Sequence, residues 1–490
     1  MIVEKLVPSP DPARCCELLS GLPYRLFLDS AARGTRLGRY SFLAADPVAV
    51  VRSKGAEVEC LDRLAGTTRV VGGDAVDAIR TLVAPHAIEA AAGLPPFQGG
   101  AAGYLAYDWG RVLERLPASR YDDLALPDVV LGIYDWVLAW DHDTATAWLI
   151  STGLPETAPE ARARRAVARA SAVRQRLQST PPEEPLAPDA ASIPSIAHAT
   201  SAPSFPVEGA WWDPRLALRS SFTHGGYLDA VARVREYIFA GDIFQANLSQ
   251  RFDAPLTEPA WALYRRLRSR NAAPFAAYLD FPEATVLSAS PERFLRVDTS
   301  GHVETRPIKG TRPRGIGAEH DAALALALAE SDKDRAENLM IVDLMRNDLS
   351  RVCAPGTVRV PELFALERYA TVHHLVSTVV GDLAPGSDAL DLLRAAFPGG
   401  SITGAPKLRA MEIIAELEPS ARGVYCGAIG YWSVTGSLDC SIAIRTAVAR
   451  GGRVYFSAGG GIVADSDLEQ EYRETMDKAR GMIDALAPPA

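Results

Sequence analysis

Cysteine is scarce in this chain, and long apolar runs are absent. Only six cysteines occur in 490 residues, and none of them forms a CxxC pair. A chain of this length needs no disulfide framework, so we expect buried, reduced thiols. No apolar run approaches the ~18 residues that span a membrane, and the first residues lack the apolar core of a signal peptide. The sequence therefore predicts a cytoplasmic protein without membrane segments.

Several functional signatures are also missing. The net charge of −9 argues against nucleic acid as a partner. The chain has no GxSxG or GxCxG elbow, no P-loop and no dinucleotide-binding fingerprint, so nucleophilic acyl transfer and the usual nucleotide loops are not supported. No repeat with a period of ~20–50 residues is visible, which excludes a solenoid.

The composition changes along the chain and predicts three parts. Residues 1–150 carry short apolar runs separated by turns, which indicates a mostly antiparallel sheet with a few helices. A helix is expected over 156–178, and 180–207 is rich in Pro, Ala and Ser, as linkers are. We therefore predict an amino-terminal domain up to residue 150, a helix and linker over 151–215, and a second domain over 216–490.

Alternating patterns predict further helices and strands in the second domain. Helical spacing predicts helices at 227–238, 318–330, 333–349, 388–396 and 407–417. Strand patterns occur at 243–252, 275–279, 287–295 and 369–380. The tail is expected to form three antiparallel strands, at 424–432, 437–449 and 453–458, followed by a helix capped by Asp465 or Ser466.

A lone lysine lies in the run RPIKGTRPRG at 306–315, between two prolines and directly before a glycine. Proline fixes φ and glycine permits close backbone approach. We therefore predict a short strand at 303–307 and place Lys309 at its end, on a constrained turn. A solvated basic turn is the alternative interpretation.

Three carboxylates stand out on two predicted helices. Glu471 and Glu474 are spaced i, i+3, so they project from one face and repel each other unless a cation lies between them. Glu337 directly precedes the apolar block 339–342, where a carboxylate needs a partner. Oxygen ligands without thiolate favour Mg²⁺ over Zn²⁺. A solvated acidic face, with Lys478 paired to Glu474, is the alternative.

Two features suggest anion binding. The glycine triplet at 459–461, just ahead of a helix, offers backbone N–H groups to an anion. Arg445 lies on an apolar strand, where a guanidinium favours a bidentate carboxylate, from a ligand or from an internal acid. His373 and His374 are adjacent on a strand and face opposite sides, so a joint metal site is not expected.

The motifs of the second half occur in a characteristic order: PIKGTRPRG, ENLMIVDLMRNDLSRV, HHLVST, PGGSITGAPKLRAM, YCGAIGY, IAIRT and GGGIVADSDLEQEYRETMDKA. Together they resemble the chorismate-utilising enzymes, which include anthranilate, aminodeoxychorismate, isochorismate and salicylate synthases. The resemblance is dense over 216–487 and looser over 1–150, where FLDS and GRYSFL echo the amino-terminal domain. It implies an α+β fold, with two antiparallel sheets packed face to face, helices outside and the active site between.

Three positions distinguish the branches of this family. Anthranilate synthases typically have Ala where this chain has Lys309, and they usually read LSGAPK where it has Thr403 in SITGAPK. The water-using branch carries a general-base lysine where this chain has Gln245. The resemblance therefore favours the branch that aminates chorismate at C4 to give 4-amino-4-deoxychorismate, a transaminase-type step towards folate. Anthranilate synthase component I and a non-catalytic scaffold of the same fold are the alternatives.

The resemblance also implies roles for individual residues. The Mg²⁺ ligands would be Glu337, Glu471 and Glu474. The substrate-binding positions would be Gly310, Thr311, Tyr425, Arg445, Gly459, Gly460 and Gly461. In the catalytic group, Lys309 would add to C2 of chorismate or only orient it, Glu292 would protonate the leaving 4-hydroxyl, and His374 would orient the ring, with Thr403 as a further member.

The resemblance implies a second subunit, because the chain contains no glutaminase triad. We expect ammonia from a separate glutamine amidotransferase, with free ammonia as a substitute at high concentration and high pH. An amino-terminal pocket is expected near Asp29–Ser30 and Tyr40–Ser41. FLDS departs from the LLES form of feedback-inhibited anthranilate synthases, so regulation by tryptophan is not expected.

Overall fold

The computed structural model describes residues 1–180, 212–213, 215–369 and 372–487. The predicted linker therefore lies, except for its first residue, outside the described residues. All six cysteines are buried and free, as predicted. No helix in the described ranges is long and apolar enough to cross a membrane.

The amino-terminal part is mostly strands, as its short apolar runs predict. They are β1 (Ile2–Leu6), β2 (Arg25–Asp29), β3 (Tyr40–Ala44), β4 (Ala49–Lys54), β5 (Glu57–Asp62), β6 (Thr67–Val71), β7 (Gly100–Leu105), β8 (Val129–Tyr134), β9 (Trp136–Asp141) and β10 (Thr146–Ser151). The helices are α1 (Pro12–Leu18), α2 (Ala75–Val83), α3 (Gly110–Leu113) and the predicted long helix, α4 (Pro159–Leu177).

The strands of the remaining chain are β11 (Trp212–Asp213), β12 (Leu218–Ser220), β13 (Gln245–Pro255), β14 (Phe275–Asp280), β15 (Thr285–Ser290), β16 (Arg293–Val297), β17 (His302–Thr305), β18 (Ile308–Pro313), β19 (Arg359–Arg368), β20 (Val372–Asp382), β21 (Gly404–Ala405), β22 (Ala428–Ser433), β23 (Leu438–Ile442), β24 (Thr446–Arg450) and β25 (Arg453–Ile462). Its helices are α5 (His224–Phe239), α6 (Ala260–Arg270), α7 (Ala318–Ala329), α8 (Asp332–Ser350), α9 (Ala389–Ala396), α10 (Lys407–Leu417) and α11 (Leu468–Leu486).

These strands form two large antiparallel sheets. The first has the order β1-β10-β9-β3-β2-β14-β15-β24-β25-β13-β12-β11, with β21 also paired to β13. The second has the order β18-β20-β17-β16-β23-β22-β7-β8-β4-β5-β6, with β19 also paired to β20. In the first sheet β2 pairs with β14, and in the second β7 pairs with β22. The two predicted domains therefore share both sheets, and their boundary stays a prediction.

The two sheets pack against each other through apolar side chains. Leu279 and Val286 of the first sheet belong to one buried cluster with Val130 and Ile429 of the second. Burial of such side chains is the main favourable contribution to folding. The predicted α+β arrangement, with two antiparallel sheets face to face, is therefore confirmed.

Local capping explains where the helices begin. Ser331 accepts a hydrogen bond from the backbone N–H of Asp334 at the start of α8, and Asp388 and Asp391 form a capping box at the start of α9. The last helix is capped by Asp467, so the prediction of Asp465 or Ser466 was wrong by one or two residues. The side chain of Asp467 accepts a hydrogen bond from the backbone N–H of Gln470.

Two predicted strands are each divided between the sheets. The segment 287–295 forms β15 in the first sheet and β16 in the second, because Pro291 has no N–H to donate at the crossing. The segment 437–449 forms β23 and β24, and Arg445 lies in the break with a φ of 50°. The prediction that Arg445 lies on a strand was therefore wrong. Strand β19 was not predicted, since Pro361 disfavours a strand there.

Two predicted turns are strand residues instead. Lys309 is the second residue of β18 rather than a turn residue at a strand end, and the pairing of β18 with β20 shifts register between Ile308 and Thr311. A bulge thus takes the place of the turn, with Gly310 at a φ of 91°. The glycine triplet 459–461 lies within β25, so it is not a loop ahead of a helix.

Candidate active site

The strand that carries Lys309 passes close beneath two helices. A Cβ atom on Gly310 would lie 2.9 Å from Cδ1 of Leu328 on α7 and 3.0 Å from Cβ of Asp334 on α8. A side chain at this position would collide with both helices, and its positive φ would add strain. Glycine therefore lets β18 approach α7 and α8 at the point where Lys309 is presented.

The Lys309 amine lies in a charged environment but makes no ion pair with any described residue. Burial lowers the pKa of Lys309, which Lys478 lowers further, whereas Glu337, Glu292 and Glu474 raise it. The net direction is downward, so more of the amine is neutral than in water. A neutral amine is the form that can act as a nucleophile.

His374 and Thr311 are joined beside Lys309. The Nδ1 atom of His374 is hydrogen-bonded to Oγ1 of Thr311 at 2.9 Å, across the β18–β20 pair. Burial lowers the pKa of His374 to about 3, and Arg445 contributes to the shift, so the imidazole is neutral at physiological pH. His373 faces the other way and its Nε2 donates to Asp321 at 2.8 Å. The two histidines do not share a site.

Glu292 lies where the chain crosses from the first sheet to the second, and the residue is 4% exposed. Burial raises the pKa of Glu292 to about 7. Two weaker effects lower this pKa: the hydrogen bond that Ser401 Oγ donates to Glu292 Oε1 at 2.5 Å, and the nearby charge of Lys309. A carboxyl with this pKa is partly protonated near neutrality. It can therefore donate a proton, as a general acid must.

Glu471 and Glu474 converge over Gly460. A Cβ atom on Gly460 would lie 3.2 Å from Oε2 of Glu471 and 3.5 Å from Oε1 of Glu474. Glu471 Oε1 accepts from Ser466 Oγ at 2.6 Å, whereas its buried Oε2 has no hydrogen-bond partner among the described residues. Burial raises the pKa of Glu471, and Lys478, 2.6 Å from Glu474, lowers the pKa of Glu474.

Glu337, the third carboxylate, projects from α8. Burial raises its pKa, and the charges of Lys309 and Lys333 oppose the rise. It makes no ion pair or hydrogen bond within the described part of the chain. Lys333 Nζ also lies 3.5 Å from Glu471 Oε1, and in the described ranges no three acidic, imidazole or thiol side chains meet in metal-binding geometry.

These carboxylates nevertheless suit a hard cation. Among the residues that the structure describes, Glu471 keeps a buried oxygen without a hydrogen-bond partner and Glu337 has no ion-pair partner, and all the donors are oxygen atoms. Lys333 and Lys478 partly neutralise the acidic group in this structure. The residues present fit the predicted Mg²⁺ site, although the ion itself stays a prediction.

Arg445 is a partly buried guanidinium without an acidic partner among the described residues. Its pKa is lowered by burial alone, as expected for a cation removed from water without compensation. The N–H of Cys426 donates to the carbonyl of Ala443 at 2.9 Å, which brings Tyr425 beside the Arg445 segment. An internal carboxylate, the alternative foreseen from the sequence, is not found there. A ligand carboxylate would satisfy the guanidinium.

Gln245 lies directly over Gly461. The nitrogen of its side-chain amide is 1.8 Å from where a Cβ atom on Gly461 would be, so a side chain at position 461 would force the Gln245 amide out of this place. The residue is 1% exposed, and within the described residues neither amide atom has a hydrogen-bond partner. Lys478 Nζ donates to the carbonyl of Gly459 at 2.9 Å, on the same strand. The triplet thus lines the site as a strand.

Comparison with known proteins identifies the family of this chain. The sequence model of the chorismate binding enzymes matches residues 25–484. The chain belongs to the chorismate binding enzyme family. Aminodeoxychorismate synthase component 1 of Salmonella typhimurium is 43% identical to it over 472 residues, which cover 95% of this chain and 93% of the relative. The Escherichia coli protein of the same name is 42% identical over 469 residues, covering 96% and 94%.

A solved structure extends the comparison. Anthranilate synthase component I from Streptococcus pneumoniae is similar to this chorismate binding enzyme with a TM-score of 0.73 and 32% sequence identity, covering 91% of this chain and 92% of that chain. The family match begins at Arg25, the first residue of β2, and continues to within α11. It therefore includes strands of both predicted domains, in agreement with the shared sheets.

Thr403 occupies a buried turn of this chorismate binding enzyme. Its hydroxyl donates to the carbonyl of Gly399 at 3.0 Å, and its own carbonyl accepts from the N–H of Asn247 at 2.8 Å. The hydroxyl is therefore used in the turn that joins the glycine-rich segment to β13. The predicted catalytic role of Thr403 stays a prediction.

Sequence reasoning missed two polar residues of the site. Ser401 donates a hydrogen bond to Glu292 and lies two residues before Thr403. Its hydroxyl in a glycine-rich motif is a feature of the sequence that could have indicated a site residue. Lys333 precedes Glu337 by four residues on α8, so i, i+4 spacing on one helix face would have revealed it. From the sequence, Lys478 was identified only as a partner of Glu474, and the structure contains that ion pair.

Proposed function

We propose that this chain aminates chorismate at C4 to give 4-amino-4-deoxychorismate, acting as component 1 of an aminodeoxychorismate synthase. The observation that carries the proposal is the position of Lys309, a partly buried amine whose pKa is lowered by desolvation and which lies within the field of Glu292, Glu337 and Glu474. Two relatives at 42–43% identity carry that name. The reaction is a transaminase-type transfer of nitrogen to the ring.

Arg445 supports chorismate, a dicarboxylate, as the substrate. Its guanidinium lacks an acidic partner among the described residues and suits bidentate binding of a carboxylate. We assign Tyr425, the Gly459–Gly461 strand and the Gly310–Thr311 bulge to the same binding site. These groups hold the ring, and the neutral His374, bonded to Thr311, orients it.

Lys309 and Glu292 act together in the first displacement. The lone pair of the Lys309 amine forms a bond to C2, the ring double bonds shift, and the C4–oxygen bond breaks. Glu292 gives its proton to the departing hydroxyl, which leaves as water. The pKa of Glu292 near 7 keeps a proton on the carboxyl at neutral pH.

Ammonia completes the reaction in a second displacement. Its lone pair forms a bond to C4, the double bonds shift back, and the C2–nitrogen bond to Lys309 breaks. The lysine nitrogen keeps both of its protons in the adduct, so it leaves as a neutral amine, and the surplus proton on the new C4 nitrogen returns to Glu292; the enolpyruvyl group stays on the ring. If Lys309 only orients chorismate, ammonia adds without the covalent intermediate.

Glu337, Glu471 and Glu474 would hold Mg²⁺ in this scheme. When bound, the ion would offset the charge of the ring carboxylate. The Glu471 oxygen and the Glu337 carboxylate, which have no partner in the described part of the chain, support this assignment. The relatives are named as component 1, which supports a second component, and we propose that it is a glutamine amidotransferase that supplies the ammonia.

Product analysis tests the proposal. Purified protein is incubated with chorismate, Mg²⁺ and ammonium, and anthranilate fluorescence is monitored directly. We expect none, and 4-aminobenzoate after addition of an aminodeoxychorismate lyase. Direct formation of anthranilate would overturn the proposal in favour of anthranilate synthase component I, the name of the solved structure at 32% identity. No turnover under any condition would favour the scaffold alternative.

A further inference from the structure

Two anchored residues flank Lys309 along the chain, one just before β18 and one within it. Arg306, three residues before Lys309, is 1% exposed. Its guanidinium donates hydrogen bonds to Glu362 at 3.0 Å, to Thr378 Oγ1 at 2.5 Å and also to Glu367. Thr311, two residues after Lys309, is bonded to His374 at 2.9 Å. The segment 306–311 that presents the amine is thus tied on both sides of Lys309 to the β19–β20 hairpin.

Glu367 connects these two anchors. One of its carboxylate oxygens accepts from Arg306, and the other accepts from the phenol of Tyr369 at 2.8 Å. The ring of Tyr369 packs edge-on against the imidazole of His374, with 5.4 Å between centroids and an interplanar angle of 63°. A continuous chain of contacts therefore runs from Arg306 through Glu367 and Tyr369 to His374 and Thr311.

We propose that Glu367 and Tyr369 are positioning residues for the Lys309 amine, acting through Arg306 on one side and His374 on the other. Neither residue has a role in the reaction scheme above, and neither was predicted from the sequence. The inference rests on the proposed function, because it takes Lys309 as the group that attacks the ring. Small displacements of a reacting group cost much rate, so such anchors matter more for kcat than for binding.

Glu362 provides a matched control on the same strand. It also pairs with Arg306, and it binds Arg36 and Thr378 Oγ1 in addition, both at 2.8 Å. These donors, Thr378 first, lower the pKa of Glu362 to about 2. Glu362 has no described contact with Tyr369 or His374. If the hairpin acids only stabilise the fold, loss of Glu362 should be at least as harmful as loss of Glu367.

The experiment compares Glu367→Ala, Glu367→Gln, Tyr369→Phe and Glu362→Ala in the full chain with saturating ammonium. Melting temperature, kcat and the KM for chorismate are measured for each. Intact-mass yield of the Lys309 adduct is measured without ammonia. We expect Glu367→Ala to lower kcat and adduct yield by about tenfold to a hundredfold with little change in KM. Tyr369→Phe, which keeps the ring but loses its bond to Glu367, should fall between this variant and wild type.

Two further results complete the test. Glu367→Gln can accept from Arg306 through its amide oxygen and donate to the phenol oxygen of Tyr369 through its amide nitrogen, so we expect it to restore much of the lost kcat. Glu362→Ala should keep kcat within about threefold of wild type even where its melting temperature falls, because Arg306 keeps its bond to Glu367, and Glu367 keeps its bond to Tyr369. Equal loss of kcat in Glu362→Ala and Glu367→Ala, or wild-type kcat in Glu367→Ala and Tyr369→Phe, would overturn the inference.

Failure of the proposed function would look different. In that case the wild-type protein itself would form anthranilate or no aminated product, whatever the variants do. If the wild-type protein makes the C4-aminated product and the Glu367 and Tyr369 variants are unaffected, only the positioning role is rejected.

Discussion

The hydroxyl of Ser401 donates a 2.5 Å hydrogen bond to Oε1 of Glu292, a buried carboxyl whose pKa is raised to about 7. Burial and hydrogen bonding act on this group in opposite directions. Burial disfavours the charged form, whereas the serine favours it. The balance leaves the proposed acid close to half-protonated at neutral pH, so small changes in its surroundings are expected to alter both activity and stability.

Glu292→Gln should abolish amination but stabilise the protein at alkaline pH. Between the ordinary pKa of a glutamate and about 7, folded Glu292 keeps a proton that the unfolded chain releases. Stability of the wild type therefore falls as pH rises through this window, and the full penalty, on the order of 3 kcal/mol, applies above it. We expect the variant to match wild type in melting temperature near pH 4 and to exceed it at pH 8.5. Equal melting temperatures at pH 8.5 would contradict the raised pKa.

Ser401→Ala should move the pH dependence of activity upwards. The serine lowers the pKa of Glu292, so its removal raises that pKa above about 7. If protonated Glu292 is the acid, kcat/KM of the wild type declines as pH rises through about 7, and the variant declines at higher pH. The measurement is kcat/KM for chorismate from pH 6 to 9. A decline at unchanged pH would exclude Glu292 as the titrating group.

The helices of this site were predictable because their signals are local. The segments 333–349 and 407–417 nearly coincide with α8 and α10, whose starts depend on neighbouring residues and whose faces follow the helical period. The order of motifs then predicted the fold through the family resemblance. Residues such as Glu292, Gly310 and Arg445 could be assigned roles from their motifs without any knowledge of the surrounding geometry.

The crossings between sheets could not be predicted in the same way. Alternation of apolar and polar residues has the same period in either sheet, so it does not reveal where a strand leaves one sheet for the other. The change at Pro291 and the left-handed backbone at Arg445 depend on distant pairing partners. The Lys309 bulge was taken for a turn because two prolines flank it. The Glu367–Tyr369 connection also depends on tertiary contacts alone.

Mg²⁺ should stabilise the wild-type protein, and this effect should require Glu471. A ligand at about one hundred times its Kd adds about 2.7 kcal/mol to folding stability. We expect a rise in melting temperature with Mg²⁺ that Glu471→Gln and Glu474→Gln abolish. Glu469→Gln, on the same helix but paired with His224 and Arg473, is the control and should respond as wild type does. An undiminished Mg²⁺ response in both variants would remove the metal assignment.

Gln245→Lys should divert the enzyme towards addition of water. The family resemblance places a general-base lysine at this position in the water-using branch, and here the buried amide lies over Gly461 without a hydrogen-bond partner among the described residues. A lysine amine at this point can take a proton from water, which then attacks C2. We expect isochorismate by chromatography in the absence of ammonium. Gln245→Met, similar in size but without a base, should form none. Equal product from both variants would show that loss of the amide, rather than gain of a base, admits water.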